Sequence, residues 1–143
     1  MTKKIVEVVY FDHEGLPHRD DGPAIQTFSP TGLPLSIIYS QHGVETRNNG
    51  PAIERTVLED GYHELIWKTD GMKNRSDGPA VVRTDIYSGV EFLVAFWRND
   101  VRHRSDGYAA THRDRVSGAV TSRHIYIEGV PKSSCQFDYL QPV

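Results

Sequence analysis

Arginine and histidine are concentrated in one stretch of the chain, residues 98–124. This stretch holds six arginines against three aspartates, a net charge of +3, whereas residues 1–60 hold five Lys/Arg against nine Asp/Glu, a net charge of −4. The guanidinium group binds carboxylates and phosphates through paired hydrogen bonds, so arginine favours specific recognition over loose attraction. We therefore take the stretch as a candidate binding surface, formed by Trp97, Arg98, Arg102, His103, Arg104, Tyr108, His112, Arg113, Arg115 and Arg123.

Three interpretations of this basic stretch are open. Its arginines could bind an acidic protein partner, or they could bind the phosphates of a nucleic acid or a lipid headgroup while Trp97, Tyr108 or Tyr126 stacks on bases. The stretch could instead be a solvated face near the end of a repeat array, where a polar surface is needed. The net charge of the whole chain is only −3, which does not by itself indicate a polyanion partner.

The residue pattern gives catalysis little support. None of the seven histidines has metal-ligand spacing, and the single cysteine, Cys135, cannot form a thiolate metal site. The chain has no glycine-rich phosphate loop before a helix and no G-x-S-x-G motif. His103, Arg104 and His112 are the nearest approach to a catalytic cluster. We expect no enzyme activity, no cofactor and no metal.

An internal repeat determines the elements that must position these residues. The motif Arg-x-Asp-Gly-Pro-Ala occurs four times, with variations, and its glycines are separated by 28, 28 and 29 residues. The three glycine series that keep this period are Gly22, Gly50, Gly78 and Gly107; Gly32, Gly61, Gly89 and Gly118; and Gly15, Gly43, Gly71 and Gly129, with Asp100 where a glycine is expected. Fixed periods of about 20–50 residues indicate repeat architectures.

Each unit of this repeat has the pattern of two β-strands. A run rich in β-branched residues, such as AVVRTDIY, leads to a glycine turn, and a second run such as YHELIW ends in an aromatic residue. We predict one all-β domain, an antiparallel meander of about four and a half two-strand repeats with nine or ten strands. The units span roughly residues 5–32, 33–61, 62–89 and 90–118, with a partial unit at 119–143.

The repeated motif predicts a turn followed by a strand. We expect its glycine to adopt an unusual φ, its proline to start the strand, and its alanine to allow close packing. The arginine either binds a carboxylate or carbonyls of its own or the next loop, or belongs to a ladder for an anionic ligand. A neighbouring acid favours the structural alternative. The ladder comprises Arg19, Arg47, Arg75 and Arg104, with Asp21, Asn49, Asp77 and Asp106 beside them.

Two further expectations concern aromatic residues and strand edges. Tyr10, Tyr39, Trp67, Phe96 and Trp97 fall near equivalent positions and are expected to stack as an aromatic spine; Trp97, beside Arg98, is also a candidate interface anchor. The terminal segments KIVEVVYF and QFDYL could each offer an exposed edge, through which a homodimer would form by strand pairing.

The segment WKTDGMKNRSDGPAVVRTDIYSGVEF, residues 67–92, resembles a MORN-type repeat. It departs from that repeat by its longer NRSDGPA link. The resemblance implies a meandering β-sheet used for scaffolding, protein contact or lipid-headgroup contact, and it implies no catalytic residues. The chain has no apolar run of the roughly 18 residues needed for a membrane span, and its N-terminus does not fit a signal peptide. We expect a cytoplasmic module that binds another protein in an adaptor, inhibitor or immunity role, with nucleic-acid, phosphate or lipid-headgroup binding as the alternative.

Overall fold

Ten strands form a single antiparallel sheet in the computed structural model, which describes residues 4–136. Neighbouring strands in the sheet follow one another along the chain, so the sheet is a meander, as the sequence predicts. Its strands are β1 (Val6–Val9), β2 (Ile25–Phe28), β3 (Pro34–Ile38), β6 (Ile53–Val57), β7 (Tyr62–Ile66), β10 (Val81–Asp85), β11 (Glu91–Ala95), β14 (Ala110–Arg113), β15 (Val120–Ile127) and β16 (Val130–Gln136). The described residues contain no helix, and therefore none that could cross a membrane.

Three short hairpins interrupt the meander, each between a strand of the sheet and the next repeated motif. They are β4 (Ser40–Gln41) with β5 (Val44–Glu45), β8 (Lys68–Thr69) with β9 (Met72–Lys73), and β12 (Trp97–Arg98) with β13 (Val101–Arg102). The prediction of only two strands per unit is therefore incomplete. Both tip residues of each hairpin have positive φ, as in Asp70 and Gly71, which gives the turn the twist that a two-residue hairpin needs.

The strands of the sheet have two distinct ends. At the hairpin end, tight turns at residues 29–33, 58–61, 86–90 and 114–119 join successive strands. At the opposite end, the loop end, lie the short hairpins and the four copies of the arginine motif. We call these copies loops 1 to 4, at residues 19–24, 47–52, 75–80 and 104–109.

The core is a row of apolar side chains across the strands of one face. The register aligns Ile53, Ile66, Val81, Ala95 and Ala110 on successive strands, and all five are buried. The alanine that ends each arginine motif is fully buried, which agrees with the expected need for a small side chain. These residues are Ala24, Ala52, Ala80 and Ala109.

The short hairpins stack on one another along the loop end. The backbone N–H of Gly71 donates to the carbonyl of Glu45 in the preceding hairpin at 2.9 Å, and a Cβ on Gly71 would lie 3.4 Å from Val44. Asp100 occupies the equivalent position with a φ of 64°. Its N–H donates to the Lys73 carbonyl at 2.9 Å, and its Oδ1 accepts from the Lys73 N–H at 2.7 Å. This second hydrogen bond offsets the strain of a non-glycine residue in the left-handed region.

The N-terminal edge of the sheet is open as far as residues 4–136 show. Among these residues β1 pairs only with β2, and Ile5 and Val6 are exposed, so this strand has the free edge that the sequence predicts. The other predicted edge, QFDYL at 136–140, lies outside the described residues except for Gln136.

Candidate functional site at the loop end

Each arginine of loops 1 to 4 lies over an aromatic ring at the end of a strand. The distances from Cζ to the ring centre are 4.2 Å for Arg19 and Tyr10, 3.8 Å for Arg47 and Tyr39, 3.9 Å for Arg75 and Trp67, and 4.1 Å for Arg104 and Phe96. Among the described residues, none of these four rings stacks on another of them. The predicted aromatic spine is therefore wrong: guanidinium groups cover the rings, because cation–π contact holds the cation over the face of the ring.

The same guanidinium closes its own loop. In loop 3, Arg75 Nη1 donates to the carbonyl of Pro79 at 3.0 Å, and the corresponding bonds in the other loops measure 3.2 to 3.4 Å. The backbone N–H of Arg75 donates to the carbonyl of Trp97, which belongs to the next short hairpin, at 3.2 Å. Each arginine thus holds its loop closed, and its backbone ties that loop to the following part of the chain.

The glycine of the motif makes room for this guanidinium. A Cβ on Gly78 would lie 2.8 Å from Arg75 Cζ, and one on Gly50 would lie 2.7 Å from Arg47 Nη1. None of the four motif glycines has positive φ. The expected unusual φ is therefore wrong. The arginine instead approaches the backbone so closely that a side chain on this glycine would meet the guanidinium, and the arginine would have to shift.

Loop 2 differs from the other loops in its missing carboxylate. In loops 1, 3 and 4 the arginine Nε donates to an aspartate two residues later, at 3.0 Å to Asp21, 3.1 Å to Asp77 and 3.3 Å to Asp106. Asn49 occupies that position in loop 2, and Arg47 makes no ion pair with any described residue. The Nε of Arg47 has no hydrogen-bond acceptor among the described residues and is not enclosed, so it is accessible to solvent. Arg47 is the one ladder arginine whose charge is not neutralised within its loop.

Three open clefts separate the four loops. Cleft 1–2 has a volume of about 570 Å³, cleft 2–3 about 420 Å³ and cleft 3–4 about 470 Å³. Each is lined by the two flanking loops and by one ring of the Arg–aromatic pairs, which are Tyr39, Trp67 and Phe96 in turn. The loop end therefore presents one kind of cleft three times in succession.

The charges that line the clefts differ. Cleft 1–2 has two arginines and two aspartates, and is neutral. Cleft 2–3 has two arginines against one aspartate, and cleft 3–4 has three against two, so each carries +1 with histidine neutral. The excess charge comes from Arg47 in cleft 2–3 and from Arg98 in cleft 3–4. Arg98 is exposed, and its side chain has no ion-pair or hydrogen-bond partner among the described residues.

The ten candidates of the basic stretch do not form one surface. Arg98, His103 and Arg104 line cleft 3–4. Arg113 and Arg115 lie at the hairpin end, where Arg113 Nη1 donates to the Gly118 carbonyl at 3.0 Å.

The remaining five candidates form two groups. Arg123 lies over the ring of Tyr108 at 5.1 Å. The Cζ of Arg102 lies 5.4 Å from the ring centre of Trp97. Burial and the charges of His124 and Arg102 lower the pKa of His112. Trp97 packs against the core with its Nε1 enclosed and unpartnered, so it is not the exposed anchor that was considered.

A buried carboxylate on the core face was not singled out from the sequence. Glu64 is 1% exposed and is the largest fully buried side chain of the described residues. Its two oxygens accept separately, Oε1 from Arg55 at 2.6 Å and Oε2 from Arg83 at 2.5 Å. These residues are directly opposite one another on three adjacent strands. Burial would lower the pKa of Arg83, but the hydrogen bond and the charge of Glu64 raise it overall.

Arg115 ties together three turns at the hairpin end. Its Nη2 donates to the carbonyls of Asp60 at 2.7 Å and Gly61 at 2.9 Å, and its Nε donates to Asp85 Oδ2 at 3.0 Å. The backbone N–H of Ser88 and, to a smaller extent, the guanidinium of Arg115 lower the pKa of Asp85 against the opposing effect of burial. Arg115 therefore has structural partners for its Nε and Nη2.

Two histidines stack near loop 1. The rings of His18 and His42 lie 4.1 Å apart, and His18 Nδ1 accepts from the backbone N–H of His42 at 3.0 Å. The His42 ring also bonds to Asp12 Oδ2 at 2.7 Å, and this bond, with that from the Leu16 N–H, lowers the pKa of Asp12 to about 2. Within residues 4–136, no group of three or more His, Cys, Asp or Glu residues could hold a metal ion.

Comparisons with protein-family models, with curated proteins and with solved structures found no match to this chain. The resemblance to MORN-type repeats thus stays a prediction made from the sequence.

Proposed function

We propose that the chain is a β-repeat binding module whose partner is another protein, held at the loop end without covalent chemistry. The observation that carries this proposal is the row of three similar clefts, each with an aromatic ring and polar loop atoms in its wall. Evenly repeated clefts suit an elongated segment of a partner better than a compact small molecule. Aromatic and arginine side chains are also the types most often found at the centres of protein interfaces.

The rigidity of the loop walls supports the same proposal. Each wall contains an arginine fixed by its aromatic ring, by a carbonyl of its own loop and by close contact with a glycine. A surface that is already ordered loses less conformational entropy when it binds. The loop end thus has the shape and the order that favour recognition.

Nucleic-acid binding is the second candidate, and Arg98 is the observation that favours it. This exposed arginine shares cleft 3–4 with Phe96 and His103, an arrangement that could take a phosphate and a stacked base. Four exposed acids at the loop end, Asp20, Asp21, Asp77 and Asp106, would repel a phosphate backbone, which carries a charge at every nucleotide, more strongly than a protein segment with a few spaced carboxylates. We therefore favour a protein partner.

A capture experiment with two matched triple variants tests the proposal. Tyrosines replace exposed residues at the loop end (Asn48→Tyr, Ser76→Tyr, Ser105→Tyr) or at the hairpin end (Thr31→Tyr, Glu59→Tyr, Ser117→Tyr). We expect wild type and the hairpin-end variant to retain a nuclease-resistant protein partner and the loop-end variant to lose it. Equal capture by both variants would overturn the proposed surface, and a partner removed by nuclease and by salt would establish the nucleic-acid alternative.

A further inference from the structure

A carboxylate occupies the same position beside the arginine in three of the four loops. Asp21, Asp77 and Asp106 each accept from the Nε of their own arginine, and their side chains are 83–86% exposed. In loop 2 the corresponding atom is Arg47 Nε, which has no acceptor among the described residues. The fold thus builds a carboxylate-binding position four times and fills it three times.

A second unpaired arginine lies one cleft further along. Arg98 lines cleft 3–4 and is exposed, and although Glu128 borders the same surface, the two form no ion pair. Arg47 and Arg98 therefore give clefts 2–3 and 3–4 one unneutralised positive charge each. Arg47 also lines cleft 1–2, but Asp20 and Asp21 lie in that cleft and make it neutral overall.

The spacing of the clefts matches an extended chain. One cleft is separated from the next by two strands of the sheet, and neighbouring strands lie about 4.8 Å apart, so the repeat distance is about 9.6 Å. A peptide in the polyproline II conformation advances about 3.1 Å per residue with about three residues per turn, so it crosses this distance in about three residues. Two side chains three positions apart then lie on the same side of the peptide and reach adjacent clefts.

We propose that clefts 2–3 and 3–4 bind an extended acidic segment of a partner protein, with carboxylates three residues apart at Arg47 and Arg98. The first carboxylate accepts from Arg47 Nε in the position that an aspartate fills in the other loops. The second accepts from Arg98, and the backbone between them crosses loop 3 near Ser76. This inference rests on the proposed function and adds the chemistry of the ligand to it.

The test is a titration with a defined probe, the blocked peptide Gly-Ser-Glu-Gly-Ser-Glu-Gly-Ser. The full chain is labelled with ¹⁵N, and the Nε–H signals of its arginines are followed by NMR as peptide is added. We expect the Arg47 and Arg98 signals to move most and those of the paired ladder arginines to move least. A peptide with glutamine in place of both glutamates is the control, and we expect it to bind about three- to tenfold more weakly, as for exposed charge-assisted bonds.

Two substitutions, each of which exchanges an amide and a carboxylate, make the test more specific. Asn49→Asp supplies the missing internal carboxylate, so we expect it to keep the fold and to weaken binding of the probe about three- to tenfold. Asp77→Asn releases Arg75 in the same cleft and is expected to strengthen binding. Equal affinity of wild type and Asn49→Asp, or of the glutamate and glutamine peptides, would overturn the proposal.

Other outcomes separate this inference from the proposed function. If no acidic peptide binds but the loop-end tyrosine variant still loses its protein partner, the carboxylate proposal fails and the proposed function stands. If a single-stranded oligonucleotide moves the same Arg47 and Arg98 signals and displaces the peptide, the ligand is a phosphate and the carboxylate proposal fails.

Discussion

The guanidinium of Arg75 lies 3.9 Å from the ring centre of Trp67 and 2.8 Å from the point where a side chain on Gly78 would begin. This pair of contacts links the arginine and the glycine of the repeated motif, because a Cβ on the third following residue would press on the guanidinium that covers the ring. The same relationship holds in the other three loops. It fixes the walls between the clefts.

The first prediction concerns this contact. Gly78→Ala should displace Arg75 from Trp67 and lower the free energy of unfolding by about 1–3 kcal/mol, the usual cost of overpacking. Urea denaturation measures the loss. In an Arg75→Ala background the same glycine substitution should cost much less, because the clashing group is gone. An equal cost in both backgrounds would show that the glycine is needed for another reason.

The second prediction concerns the buried carboxylate. Glu64→Gln should lower the free energy of unfolding by about 1–3 kcal/mol; this is below the usual cost of breaking a buried ion pair because both arginines are partly exposed. Glu54, on the opposite face of the sheet, forms no ion pair with any residue that the structure describes, so Glu54→Gln is the matched control and should change stability by less than about 0.5 kcal/mol. Equal effects of the two substitutions would mean that the Arg55–Glu64–Arg83 network contributes nothing measurable.

The third prediction concerns the turns at the hairpin end. Arg115→Met should remove the bonds to the carbonyls of Asp60 and Gly61 and so loosen the turn at 58–61. We expect faster hydrogen exchange of the Ile86 amide, which donates to the Gly61 carbonyl at 3.0 Å. Arg113→Met removes only a bond to its own turn and serves as the control. Unchanged exchange at Ile86 would contradict the role given to Arg115.

The fourth prediction is a pH dependence of stability. Burial, and then the charges of His124 and Arg102, lower the pKa of His112 below its ordinary value of 6.5. The unfolded chain therefore binds more protons than the folded one just below that pH, so stability should fall as the pH drops through about 6.5. His112→Gln should reduce the slope of unfolding free energy against pH between about 7 and 5 relative to wild type. A slope that is the same in wild type and in His112→Gln would contradict this assignment.

The sequence predicts the sheet well because its signals are local. Glycine at each hairpin turn and β-branched runs between them determine strand order in a meander, where every strand pairs with its neighbours along the chain. The short hairpins were missed because only two residues on each side pair, which is too short for an alternating pattern to be visible.

The site was less predictable because its contacts depend on tertiary structure. The role of Gly78 depends on where the Arg75 side chain lies, which the motif alone does not specify. The basic stretch misled the prediction. Arg98, Arg113 and Arg123 are close in sequence, but they lie in different parts of the sheet. The sequence did contain a signal for Glu64. The hairpin register places Glu64 opposite Arg55, and a pair of opposite charges across two strands indicates an ion pair.

The most direct test of the central claim is photo-crosslinking of the intact chain to its partner from single sites. A photoreactive amino acid is placed at exposed Ser76 in loop 3 or, as the matched control, at exposed Glu59 in a hairpin-end turn. We predict that Ser76 crosslinks to a protein partner, through a segment that contains acidic residues, and that Glu59 does not. Crosslinks from Glu59 without any from Ser76 would contradict the account and move the binding surface away from the loop end.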